Sequence, residues 1–168
     1  MTDYGRILLA SVGSFLLLGG ALISQFIGGL PPCPMCIWQR WPHLAAILIG
    51  VIAITIGWRF RGVLAIFGGL AASATAAIGF FHAGVEQGWW EGPSTCTAGD
   101  ISSMSTDEAF AQMLQTPLVR CDEIVWQFGL TLAGWNGVIS LGLACLWFWT
   151  VYQPFSLPQP QASSSTTQ

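Results

Sequence analysis

Lysine is absent from the 168 residues, and only 8% of them carry a formal charge. An ordinary soluble domain carries roughly 25%. So little charge cannot cover a water-facing surface, which excludes a soluble globular enzyme. The five cations are all arginine and lie scattered along the chain. No basic patch is present, which excludes a nucleic-acid binder. What the chain has instead is apolar sequence: 53% hydrophobic residues and a mean hydropathy of +0.61. The length suits one domain.

A bilayer core of about 30 Å takes roughly 20 mostly apolar residues as a helix. Residues 7–26, 41–58, 63–81 and 130–151 meet or approach that length, and none of the four contains Asp, Glu, Lys or Arg. The fold expected is therefore an all-α membrane protein, a bundle of four transmembrane helices. The first stretch is longer than the roughly 7–15 apolar residues of a signal-peptide core, and no small-x-small site precedes polar sequence, so it is read as a retained span. Arg6 precedes the first span, and Arg59 and Arg61 lie in the tight turn between the second and third. The positive-inside rule puts these three in the cytoplasm, together with both termini. Segments 27–40 and 82–129 then face outward. The third span is rich in small residues (Gly68, Gly69, Ala72, Ala76, Gly79), which allow close helix packing in lipid. Residues 153–168, Pro-, Ser- and Gln-rich without charge, read as a disordered tail.

Four of the five cysteines, Cys33, Cys36, Cys96 and Cys121, fall in the outward segments; Cys145 lies inside a span and reads as a bystander. An oxidising exterior would permit disulfides there. Cys33-Pro34-Met35-Cys36 is a C-x-x-C at an expected helix start. The motif, a helix N-terminus and a nearby cation each lower a thiol pKa. Arg40 is that cation, four residues on from Cys36 and about 6 Å further along the helix axis. A haem attachment site would need His where Ile37 stands. A structural disulfide remains the alternative, but one closing so short a ring constrains little chain. Between Cys96 and Cys121, Ser105 and Glu108 form a capping box, followed by Phe110, Met113 and Leu114 at helical spacing and by Pro117. This is a short amphipathic helix, lying on the membrane surface or packed on the bundle. Asn136, within the fourth span, is expected to hydrogen-bond another helix; His43 is read as structural. Two cysteine pairs on one side suggest a relay by thiol–disulfide exchange. No haem, flavin or iron–sulfur motif is present, so the acceptor reachable from lipid is a membrane quinone.

These residues resemble the DsbB family of membrane disulfide bond formation proteins. Cys33-Pro-Met-Cys36-Ile-Trp-Gln-Arg40 is similar to its C-x-x-C-I-[YW]-x-R signature. His82-x-Gly-Val-Glu-x-Gly-x-Trp, followed by Gly-Pro-x-x-Cys96, is similar to the segment leading to its first loop cysteine. Cys121-Asp-Glu-x-x-Trp126 is similar to the second loop cysteine and its downstream tryptophan. The resemblance implies a quinone-dependent thiol oxidase of the bacterial inner membrane. A reduced periplasmic DsbA-like thioredoxin-fold protein would attack a Cys96–Cys121 disulfide at Cys96. Cys121 would attack Cys33, and Cys36 would pass the electrons to ubiquinone or menaquinone. Arg40, His82 and Trp126 are the expected quinone contacts, with no metal; Glu86 is expected to be solvated, the alternatives being pairing with a cation or assisting proton uptake. The alternatives are a quinone-linked oxidoreductase of the vitamin K epoxide reductase type, which carries its C-x-x-C late in the chain, and a membrane scaffold with structural disulfides.

Overall fold

The computed structural model describes residues 2–55, 58–93, 96, 105–115 and 119–152; the side chains of Trp58, Ala109, Gln112, Met113, Gln115, Trp126 and Gln127 lie outside that description. Four long apolar helices make the frame: α1 (Asp3–Phe26), α2 (Pro34–Thr55), α3 (Arg61–Glu86) and α5 (Leu132–Tyr152). All four are long and apolar enough to cross a membrane. The short α4 (Thr106–Gln115) and a two-stranded hairpin, β1 (Trp126–Gln127) and β2 (Leu130–Thr131), lie between α3 and α5.

Each helix end has a local cause. The Thr2 hydroxyl caps α1 by accepting from Gly5 N at 3.3 Å, with Asp3 in the first turn. Asp3 also accepts from Arg6 at 2.9 Å and pairs with Arg61, tying the starts of α1 and α3 together. The helix carrying the second apolar stretch starts at Pro34, ahead of Trp41, so the C-x-x-C motif and Arg40 belong to its first turns. Proline suits a first helical position because its missing N–H would have no partner there. The capping box of α4 is formed: Ser105 N donates to Glu108 Oε2 at 3.1 Å, and Glu108 N to Ser105 Oγ at 3.4 Å. Phe110 and Leu114 are exposed on it, whereas the Met113 side chain, Pro117 and the tail 153–168 lie outside the described residues.

Small residues set the helix spacing. A Cβ on Gly79 would stand 2.9 Å from Gly137 N and 3.0 Å from Ala133 O, so α3 and α5 meet there backbone to backbone. Gly68 leaves room for the fully buried Trp147 ring, which a Cβ would approach to 2.6 Å. Ile7, Ala53, Ala65, Ala72, Leu143 and Trp147 form the core at the arginine end. Large apolar side chains such as Phe15, Leu16, Phe67 and Leu70 cover the outside, as a lipid-facing surface requires.

Candidate functional site

The site is built at the opposite end. Gly29, in the left-handed region at φ +67°, turns the chain out of α1, and Pro31-Pro32 stiffens the entry to α2. This places Cys33 at the N-cap of α2. Its carbonyl accepts from Ile37 N at 3.2 Å, and its sulfur accepts from Cys36 N at 3.2 Å, the position a capping oxygen normally takes. The Cys33 thiol donates to Cys36 Sγ at 2.9 Å. That hydrogen bond, and burial after it, raise the Cys33 thiol above its ordinary pKa. Cys33 is 3% exposed, while Cys36 is only half-buried.

Cys96 and Cys121 form a disulfide. Their backbones are joined as well, Cys121 N donating to Cys96 O at 2.9 Å. Both sulfurs are buried with Cys33, Met35 and Val85 in one cluster. Cys33 Sγ, one His82 ring nitrogen and Cys121 Sγ lie within 4.8 Å of one another, so Cys33 Sγ is close both to Cys36 and to the disulfide. Cys121 Sγ is bonded to Cys96, and His82 Nε2 faces the Cys121 carbonyl.

A buried hydrogen-bond chain places a proton on Nε2 of both histidines. The Met35 carbonyl can only accept, so the atom of Gln39 at 3.3 Å from it is the amide nitrogen. That nitrogen also donates to His82 Nδ1 at 3.0 Å. The His82 proton is therefore on Nε2, which donates to Cys121 O at 3.1 Å and faces Cys33 Sγ at 3.6 Å. On the other side Gln39 Oε1 accepts from Asn136 Nδ2 at 2.6 Å. Asn136 Oδ1 then accepts from His43 Nε2 at 2.9 Å, and the Thr75 hydroxyl donates to Gln39 O at 3.1 Å. One chain of bonds thus links α2, α3 and α5 within the apolar bundle.

A cavity of about 560 Å³ lies beside the thiols. Leu16, Leu17 and Ala21 of α1 and Ile139 of α5 form apolar wall; Cys36, Arg40 and His43 line it from α2, and His82 and Glu86 from α3. Arg40 donates to Gln25 Oε1 at 2.5 Å, while its Nε is buried without a partner among the described residues. His43 Nδ1 and Glu86 Oε2 are unpartnered in the same sense. On the loop side Arg120 donates from Nε to Asp122 at 2.9 Å, holding that carboxyl below its ordinary pKa.

Of the residues singled out from the sequence, the four cysteines, His82 and Arg40 meet at one end of the bundle. Trp126 pairs with Thr131 in the hairpin, and its side chain lies outside the description. Glu86 departs from the expectation of solvation. It is 7% exposed, in the last turn of α3, where its neighbour Val85 packs against Cys33, Cys96 and Cys121 and where the Thr131 hydroxyl bonds the Glu86 carboxyl. Gln39, Thr75 and the linking of His43 to Asn136 were not anticipated. Their signal was present: Gln39 and His43 sit four residues apart on one helix face in a span, where polar groups must find partners.

The family model for the disulfide bond formation protein DsbB matches residues 5–150. A disulfide bond formation protein B of Polaromonas naphthalenivorans is 33% identical over 162 residues, covering 87% of this chain and 92% of its own. Another, from a Polaromonas species, is 32% identical over 144 residues, with 81% and 83% covered. One from Marinobacter nauticus is 29% identical over 167 residues, with 91% and 92% covered. No solved structure gives a significant match. With its four apolar helices and its thiol cluster, this multi-pass membrane chain belongs to the DsbB family, the disulfide-forming oxidoreductases.

Proposed function

We propose that the protein reoxidises a periplasmic DsbA-like dithiol protein and passes the electrons through two cysteine pairs to a membrane quinone. The observation that carries this reading is the position of Cys33 Sγ, 2.9 Å from Cys36 Sγ and within 4.8 Å of Cys121 Sγ. The reduced partner attacks Cys96, and Cys121 leaves as a thiolate. Cys121 then attacks Cys33 of the Cys33–Cys36 disulfide, releasing Cys36. The partner's second thiol frees Cys96, which closes again on Cys121. What remains is a Cys96–Cys121 disulfide beside two free thiols at Cys33 and Cys36. His82 holds the Cys121 carbonyl against Cys33 throughout. In this topology the cysteine end is periplasmic and the Asp3–Arg6–Arg61 end cytoplasmic, in the bacterial inner membrane.

The cavity suits a quinone head group, ubiquinone or menaquinone. It is of ligand size, its walls are apolar, and the unpartnered Arg40 Nε–H asks for an oxygen acceptor. A bound quinone supplies the two-electron sink. Arg40 favours the Cys36 thiolate beside it and the charge that builds on the acceptor. Trp126, a few residues beyond Cys121, is assigned to the same pocket on the family pattern. The test mixes the purified protein with a reduced DsbA-like protein and a quinone while the quinone absorbance is followed. Loss of the quinone band in step with partner oxidation, and its abolition by Cys33→Ser or Cys36→Ser, is expected. Normal turnover in either variant refutes the relay.

A further inference from the structure

We propose that Glu86 carries the proton that leaves Cys33 when Cys33 and Cys36 close to a disulfide, and delivers it to the quinone oxygen. This rests on the thiol-oxidase reading above. Oxidation of the pair removes two electrons and leaves one proton to be placed: Cys33–SH and Cys36–S⁻ become the disulfide. The electron pair goes to the quinone from Cys36, and the quinol needs two protons. One comes from Cys33, and the other from water at the outer face.

The nearest candidate base for Cys33 is His82, whose Nε2 lies 3.6 Å from the sulfur. The hydrogen-bond chain removes it: Gln39 donates to Nδ1, so Nε2 already bears the proton and its lone pair is not available. Glu86 stands on the same histidine, with Oε1 4.0 Å from Nε2. It closes α3, is buried, and keeps Oε2 without a partner among the described residues. An incompletely paired carboxyl inside a membrane bundle is costly, and such groups mark proton paths. Glu86 also lines the cavity together with Cys36, so one carboxyl borders both the thiols and the acceptor. The charged and titratable groups that line the cavity with it are Cys33, then Cys36, Arg40 and His43 of α2, His82 of its own helix, and Arg120 and Glu123 of the segment before β1. The Thr131 hydroxyl supports one side of the carboxyl.

The test has two readouts on the full-length protein. In the first, the Cys33–Cys36 pair is cycled chemically between dithiol and disulfide without quinone, and infrared difference spectra are recorded. A carbonyl-stretch band of a protonated carboxyl group is expected to grow on oxidation and to be absent in Glu86→Gln. In the second, Glu86→Gln slows quinone reduction by at least about 100-fold, the lower range for a proton-transfer group, while disulfide exchange with the partner keeps its rate. Glu86→Asp, which retains a carboxyl, recovers part of the loss. An unchanged band in Glu86→Gln, or wild-type turnover, overturns the proposal. If the wild-type protein reduces no quinone at all, the oxidase reading falls, while the infrared band still decides the role of Glu86.

Discussion

At Cys33 two effects hold the proton on sulfur: the thiol donates to Cys36, and the residue is buried. Cys36 receives that bond and is the more accessible of the two. Brief alkylation of the reduced protein near neutral pH should therefore label Cys36 before Cys33, read by peptide mass spectrometry. The sign follows from the raised Cys33 pKa: below it the sulfur stays a thiol, and thiolates are the reactive species. Labelling of Cys33 first would reverse the assignment of donor and acceptor within the pair. Motif spacing made the four cysteines and Arg40 visible in the sequence, because covalent sulfur chemistry tolerates few substitutes. Glu86 was visible in the sequence as a group able to assist proton uptake, but its burial was not. Its burial depends on Cys96, Cys121 and Thr131 coming to the end of α3 from far along the chain, and no local pattern encodes that.

Among the elements, the α3–α5 contact depends on Gly79. A methyl group there would meet the backbone of Gly137 at 2.9 Å, whereas one on Gly142 of α5 would meet nothing within 4 Å. Both alanine substitutions gain the same helix propensity, about 1 kcal/mol at most, so their difference isolates packing. Gly79→Ala should be the less stable by roughly 1–3 kcal/mol, the usual cost of overpacking. Thermal unfolding in detergent reads the difference, and equal midpoints for the two variants would mean the helices separate there without cost. The four spans were legible because uninterrupted apolar runs of this length have few other uses. The start of α2 at Pro34 agrees with the helix start expected at the C-x-x-C; the apolar run alone would have placed it at Trp41, since hydropathy marks what lies in lipid and not where a helix begins. The hairpin was missed. It turns on Phe128 at φ +51° and Gly129 at φ +86°, a two-residue turn of the type that twisted strands favour. A Phe at the first of these positions carries no turn signature.

On the scale of the whole molecule, the bundle separates two tasks. One end is held by the Asp3 pairing with Arg6 and Arg61 and by the Trp147 core. The other gathers both cysteine pairs, the polar chain through Gln39 and the cavity. Composition alone gave the class of molecule, and the family pattern gave the chemistry. What had to be seen in three dimensions was the approach of Cys121 to Cys33 across a long stretch of sequence. That approach is the central claim, and removing the competing sulfurs tests it directly. In a Cys36→Ser, Cys96→Ser double variant, Cys33 and Cys121 are left as the only cysteines at this end. Peptide mapping after mild oxidation should find a Cys33–Cys121 disulfide within one chain. Two free thiols, or a Cys121 bridge between chains, would contradict the relay.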